Sequence, residues 1–206
     1  MGIGNERIAK WDARYAAGEG RHGFVPSPPL PAAVAGLAPG RALDVAAGAG
    51  RHAIYLAERG WNVVAVEGSA EADRVMREEA ERRGLLERIE SRLVDLETPA
   101  HRTAIEREGY DLVCDFYFLE RTLFPALLAA VRPGGLLVAA IHVYGSGAAN
   151  HAFLLAPGEL ALLVEGPSWE VLHTYEGPSR DGGHDHATAE LIARKRIVTK
   201  GSALAV

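Results

Sequence analysis

The sequence predicts an α/β protein on a Rossmann-like, doubly wound, mainly parallel sheet, and three observations carry that prediction. Between residues 41 and 144, apolar runs bounded by Gly and Pro alternate with amphipathic stretches, the rhythm of strands covered by helices. A glycine turn, Gly48-Ala49-Gly50, joins the first apolar run to the first helical pattern. Two β-rich runs near the end are joined by the polar loop "GPSRDGGHDH", which is the pattern of a closing antiparallel hairpin.

Taken in order, "RALDVAA" (41–47) is the first strand and "RHAIYLAERG" (51–60) a helix stopped by Gly60. "NVVAVE" (62–67) is the second strand. "SAEADRVMREEAERRG" (69–84) opens on Ser69 as N-cap, carries Glu and Arg at helical spacing and stops at Gly84. "RIESRLVDL" (88–96) and "YDLVCDF" (110–116) are strands three and four. "TLFPALLAAV" (122–131) is helical, and "GGLLVAAIHVY" (134–144) is strand five, entered through the turn "RPGG". A loop, a short helix near "PGELALLV" (157–164) and the runs "WEVLHTYE" (169–176) and "ATAELIARKRIV" (187–198) complete the chain. Residues 1–40, Pro- and Gly-punctuated with Trp11 and Tyr15, are expected to form a partly helical flap on a single domain spanning 41–206.

A chain of 206 residues that is 48% hydrophobic can bury one sizeable core. Its net charge of -5 opposes a nucleic-acid partner, because phosphate binding needs clustered Lys and Arg. The single cysteine, Cys114, cannot form an intramolecular disulfide, and mid-strand it is expected to be a small buried apolar residue. No run approaches the roughly 20 apolar residues that span a bilayer, and the N-terminus lacks the pattern of a signal peptide. A cytoplasmic protein without a membrane partner is the expectation.

The glycine turn fits two patterns. Gly48, Gly50 and Ala53 match G-x-G-x-x-A, which binds dinucleotides; Asp44, Gly48 and Gly50 match D-x-x-x-G-x-G, which holds S-adenosylmethionine. Asp44 at a strand end would repel a pyrophosphate but would suit a ligand carrying an ammonium and a sulfonium. Glu67, ending strand two, suits the ribose hydroxyls of either cofactor. Asp95, ending strand three, is placed to accept from an adenine amino group, with the Leu96 amide near a ring nitrogen. Three acids thus converge on the carboxyl edge of the sheet, where open α/β folds bind ligands.

The stretches "LDVAAGAGRHAIYLAERGWNVVAVEGS", "VDLE" and "YDLVCDFYFLERTLFPALLAAVRPGGLLV" resemble the class I S-adenosylmethionine-dependent methyltransferases, and among them the small bacterial tellurite-resistance (TehB-like) group. That resemblance implies a seven-stranded sheet in the order 3-2-1-4-5-7-6 with strand seven antiparallel. It further implies a methionyl loop of Asp44, Ala46, Gly48 and Gly50, a ribose site at Glu67 and an adenine site at Asp95 and Leu96. The chain departs from the family at Ala46, where Gly is usual, at Ala47, and at Gly68, where a larger side chain commonly packs on adenine.

Methyl transfer from a sulfonium needs alignment and exclusion of water more than a catalytic dyad, so no catalytic side chain is assigned. Asp115 and Phe116 lie where strand four should meet the methionyl end, and Arg51 is a candidate for the methionyl carboxylate. Trp11, Tyr15, Tyr117, Arg121 and His142 are candidates for the acceptor side, with Arg14 beside the aromatic cover and His151 in the loop after strand five. The sequence Asp115-Phe116-Tyr117-Phe118 departs from the D/N-P-P-Y motif of amine-methylating enzymes. His184 and His186 share a face if extended, but two ligands do not make a metal site, and none is expected. A small-molecule methyltransferase is the leading expectation. An NAD-dependent oxidoreductase and a catalytically silent S-adenosylmethionine-binding module are the alternatives.

Overall fold

Seven strands form one sheet in the computed structural model: β1 (Arg41–Val45), β2 (Asn62–Glu67), β3 (Ile89–Leu93), β4 (Tyr110–Phe116), β5 (Val131–His142), β6 (Trp169–Gly177) and β7 (Thr188–Lys195). The structure describes residues 3–19, 23–99, 101–145, 152–182 and 186–197. The strand order is β3-β2-β1-β4-β5-β7-β6. β1 to β5 pair in parallel, whereas β7 runs antiparallel to both β5 and β6. Sheet order reverses at β1, which lies between β2 and β4, so the crevice of a doubly wound fold opens at the carboxyl ends of these strands.

The helices are α1 (Ile3–Ala16), α2 (Pro29–Val34), α3 (Arg51–Ala57), α4 (Ala70–Arg82), α5 (His101–Ala104), α6 (Phe124–Ala130) and α7 (Glu159–Leu163). Alternation along the strands divides the core in two. Leu43, Val45, Val113, Leu137 and Leu191 pack on one face with Phe124 and Leu127 of α6. Ala42, Val63, Ala65, Leu112 and Cys114 pack on the other with Leu30 of α2 and Ala53 and Leu56 of α3.

Both glycine stops are observed, and by the same device. Gly60 and Gly84 adopt positive φ (87° and 69°). The next residue's amide then reaches back over each helix end, from Trp61 to the Leu56 carbonyl and from Leu85 to that of Ala80. Ser69 caps α4 by accepting the Ala72 amide at 3.1 Å. The first strand ends two residues earlier than the apolar run, because Ala46 turns to φ 50° and leaves the sheet. Strand five gains residues at its start: Val131 already pairs with Tyr110 before the register shifts to Leu136–Leu112. No described helix is long and apolar enough to cross a membrane.

Candidate functional site

The glycine turn is set by its backbone. Ala46, Gly48 and Gly50 all take positive φ (50°, 56° and 83°), a region that costs a side chain about 1 kcal/mol and costs glycine nothing. Gly50 has a second reason to be glycine, since a Cβ there would lie 2.3 Å from Cγ of the fully buried Met76. The turn delivers the chain into α3 with Arg51 as its first residue.

Glu67 and the turn are joined. Its buried carboxylate accepts the Gly48 amide at 2.7 Å on one oxygen and the Ser69 amide at 2.7 Å on the other. Burial raises its pKa, and the Ser69 and Gly48 amides oppose the rise. Asp44 is buried one strand over. Burial pushes its pKa up to about 7 against the stabilising amide of Ala53, and its Oδ2 has no hydrogen-bond partner.

Asp115 pairs in register with Val45 and so lies on the opposite sheet face from Asp44, which pairs with Cys114. It is buried, neither carboxylate oxygen has a hydrogen-bond partner, and burial followed by the charge of Asp44 raises its pKa well above the usual range. Buried carboxylate oxygens without donors are costly. A ligand that brings cationic N–H groups would satisfy them, and a pyrophosphate would not.

Asp95 is half-buried just beyond β3, where one oxygen accepts the Glu97 amide at 3.0 Å; Leu96 is buried in the core. Gly68 faces α1. A Cβ on Gly68 would sit 3.6 Å from the Ile8 side chain, in ordinary contact. Ile8, Asp12 and Tyr15, spaced i, i+4 and i+7, share one face of α1 and dock along the cleft edge. Asp12 accepts the Ser69 hydroxyl at 2.5 Å and the Glu71 amide at 3.1 Å. The Tyr15 hydroxyl lies 2.6 Å from where a Gly48 Cβ would be, and burial raises its pKa. Trp11, by contrast, is 46% exposed and lies under the Arg14 guanidinium.

The structure scatters the acceptor-side candidates. Tyr117 stands at φ 63°, a strained conformation for a bulky residue, with its ring 4.7 Å from that of His142. Burial, then the neighbouring His186, lowers the pKa of His142, so its imidazole is neutral near pH 7. Phe116 stacks on His52 with ring centroids 4.0 Å apart, within the core. Arg121 is engaged away from this group: it pairs with Glu159 (2.5 Å) and donates to the Leu154 carbonyl (3.0 Å), bracing the loop after β5. His151 and His184 lie outside the described residues. Among the described residues no group of three or more His, Cys, Asp or Glu side chains is arranged to hold a metal ion.

Sequence reasoning missed Asp181. From the β6–β7 loop it forms a buried ion pair with Arg51, Oδ2 lying 2.6 Å from Nη2, with side chains 8% and 10% exposed respectively. It also accepts the Ser27 hydroxyl at 2.7 Å and the Tyr117 hydroxyl at 2.9 Å. Burial would raise its pKa, yet the Arg51 and Ser27 hydrogen bonds and the Arg51 charge win and hold it at about 2. No local pattern marks an Asp whose partner is 130 residues away.

Residues 42–135 match the methyltransferase domain family. No curated protein sequence matches the chain. Solved structures share its fold. TehB from Haemophilus influenzae is 20% identical with a TM-score of 0.68 over 82% of this chain and 62% of that one. The Burkholderia thailandensis 1,6-didemethyltoxoflavin-N1-methyltransferase, solved with 1,6-didemethyltoxoflavin and S-adenosylhomocysteine, is 19% identical with a TM-score of 0.67 over 96% and 92%. The cyclase SpnF is 18% identical with a TM-score of 0.67 over 82% and 79%. Fold alone does not carry an activity, as that cyclase illustrates. The family match spans the glycine turn, Glu67, Asp95 and Asp115 within residues 42–135, on a sheet of order β3-β2-β1-β4-β5-β7-β6.

Proposed function

We propose that the chain methylates a small-molecule acceptor, with Asp44, Ala46, Gly48, Gly50, Glu67, Gly68, Asp95, Leu96, Asp115 and Phe116 forming the cofactor side. The observation that carries this reading is the pair of buried acids at the glycine turn: Asp44, whose Oδ2 has no donor, and Asp115, neither of whose carboxylate oxygens has one. When bound, S-adenosylmethionine supplies an electrophilic methyl group on a sulfonium.

The protein's part is to bind, align and exclude water. Asp44 and Asp115 present carboxylate oxygens to the methionyl ammonium, and Glu67 exchanges its internal amide donors for ribose hydroxyls. Asp95 and the Leu96 amide meet the adenine edge. α1 acts as the cover of a flap formed by residues 1–40, docked through Ile8, Asp12 and Tyr15. Arg51, paired with Asp181, serves the acceptor side rather than the methionyl carboxylate. Tyr117, His142 and the exposed Trp11 line the approach, while Arg121 holds the loop behind it. A neutral His142 is able to take a proton from an acceptor O–H or N–H group.

The negative net charge supports a small acceptor over nucleic acid. The Burkholderia thailandensis methyltransferase, solved with 1,6-didemethyltoxoflavin bound, aligns over 96% of this chain and supports that choice. Titration calorimetry with S-adenosylhomocysteine and with NAD tests the cofactor side, and micromolar binding of NAD alone would reverse it. Transfer of labelled methyl to a panel of uncharged heterocycles, phenols and thiols tests the acceptor side. Label transferred only to RNA or DNA would refute the small-molecule reading.

A further inference from the structure

Four donors from three separate segments converge on one side-chain carboxylate. Arg51 Nη1 and Nη2 donate to Asp181 Oδ1 and Oδ2 at 3.2 and 2.6 Å. Ser27 Oγ, fully buried before α2, donates at 2.7 Å, and Tyr117 Oη, just past β4, at 2.9 Å. A planar guanidinium presenting two parallel N–H groups, joined by two hydroxyls, is the donor set that binds free carboxylates and oxyanions. Here a residue of the chain's own hairpin loop fills it.

The surrounding contacts preorganise the set. Arg51 Nη2 also donates to Ser27 Oγ at 2.9 Å, and Nη1 to the Val25 carbonyl at 3.3 Å. His52 Nε2 accepts the Ser27 amide at 3.3 Å, which aims Ser27 at the cluster. Tyr117 stands at φ 63° with its amide donated to the Ala140 carbonyl at 2.8 Å, and its hydroxyl bond to Asp181 ties the other end of the residue. With Asp181 in place, the guanidinium is neutralised and the two hydroxyl protons are committed.

We propose that Asp181 is a tethered occupant of an anion pocket beside the glycine turn, and that it thereby determines specificity by directing the enzyme to an uncharged acceptor. The second half rests on the acceptor lying at Tyr117 and His142, as read above. An oxyanion approaching that edge meets a neutral ion pair in which Arg51 Nη1 and Nη2 and both hydroxyls are already engaged; a neutral molecule pays no such penalty.

The full-length chain, its Asp181→Ala and Asp181→Asn variants and the double variant Asp181→Ala/Arg51→Met are compared by calorimetry and thermal unfolding with formate and with selenite. Formate is the severed carboxylate of Asp181, and selenite is a free oxyanion. Asp181→Ala should bind both at least about tenfold more tightly than the wild type, and formate should restore its melting temperature. Asp181→Asn, which keeps the shape without the charge, guards against loss of the fold and should show a smaller gain. The double variant should respond to neither anion.

Wild-type binding of selenite as tight as that of Asp181→Ala, or wild-type transfer of labelled methyl to selenite, would overturn the proposal. So would single variants indifferent to both anions, which would make the cluster a structural brace. Failure of the wild type to bind S-adenosylhomocysteine, measured separately, would count against the cofactor reading and leave the anion result standing.

Discussion

The Glu67 carboxylate accepts the Gly48 amide at 2.7 Å, so the acid that ends β2 and the glycine turn that follows β1 form one unit. Two tasks therefore fall on one side chain. Glu67→Ala and Glu67→Gln should each lower the melting temperature, because the Gly48 and Ser69 amides lose a charged acceptor. Each should also weaken S-adenosylhomocysteine binding by about 1–3 kcal/mol per folded molecule, the size expected for hydrogen bonds to a charged group. Calorimetry corrected for folded fraction checks this, and unchanged affinity would make Glu67 structural only.

Asp44 predicts a pH dependence of stability. Burial lifts its folded pKa to about 7 from an ordinary value of 3.8. Between those values the native state holds a proton that the unfolded chain has released, so stability should fall as pH rises through this window and level off above it. Asp115 and Glu67, also raised, act in the same direction. Asp44→Asn should flatten the fall between about pH 5 and about pH 8 in denaturant titrations. The same variant should lose cofactor affinity. A slope identical to that of the wild type would show that Asp44 titrates normally.

The two glycines of the turn should respond differently to a methyl group. Gly50→Ala sets a Cβ against buried Met76 at positive φ and should cost about 2–4 kcal/mol of global stability. Gly48→Ala meets the Tyr15 hydroxyl, which ends a side chain able to swing away, so about 1 kcal/mol is expected with faster hydrogen exchange in α1. Adding Tyr15→Phe to Gly48→Ala should recover part of the loss. Equal costs at the two sites would refute this assignment of contacts.

Asp12→Ala removes the carboxylate that receives the Ser69 hydroxyl and the Glu71 amide. About 1 kcal/mol of stability should go with it, the usual worth of a lost cap. Exchange should rise at residues 8–15, and S-adenosylhomocysteine should restore protection there in the wild type more than in the variant. Ligand-independent protection in both proteins would mean that α1 is packing and not a cover.

The local alphabet of the chain was sufficient for the strands of the sheet and the helices between them, whereas the order of the strands in space came from the family resemblance and not from any local run. Ser69, Gly60 and Gly84 act through bonds to their own neighbours, so their capping roles are written within a few residues. The acids at 44, 67 and 95 are legible for a related reason: each stands at or just past the end of an apolar run, and parallel strands bring those ends to one edge. Ala46 was legible as a departure from the usual glycine, and only the backbone shows why glycine is usual, since the chain leaves the sheet there at φ 50°. The Arg51–Asp181 pair was not legible. Its partners lie on the first crossover helix and on the terminal hairpin, and the antiparallel return of β7 on β5 is what brings that loop over the glycine turn. The same holds for Ile8 against Gly68 and for Tyr15 over Gly48, where a helix preceding the sheet folds back on it. Such contacts depend on the docking of whole elements, governed by buried area and shape across the core, and no short run of sequence encodes them.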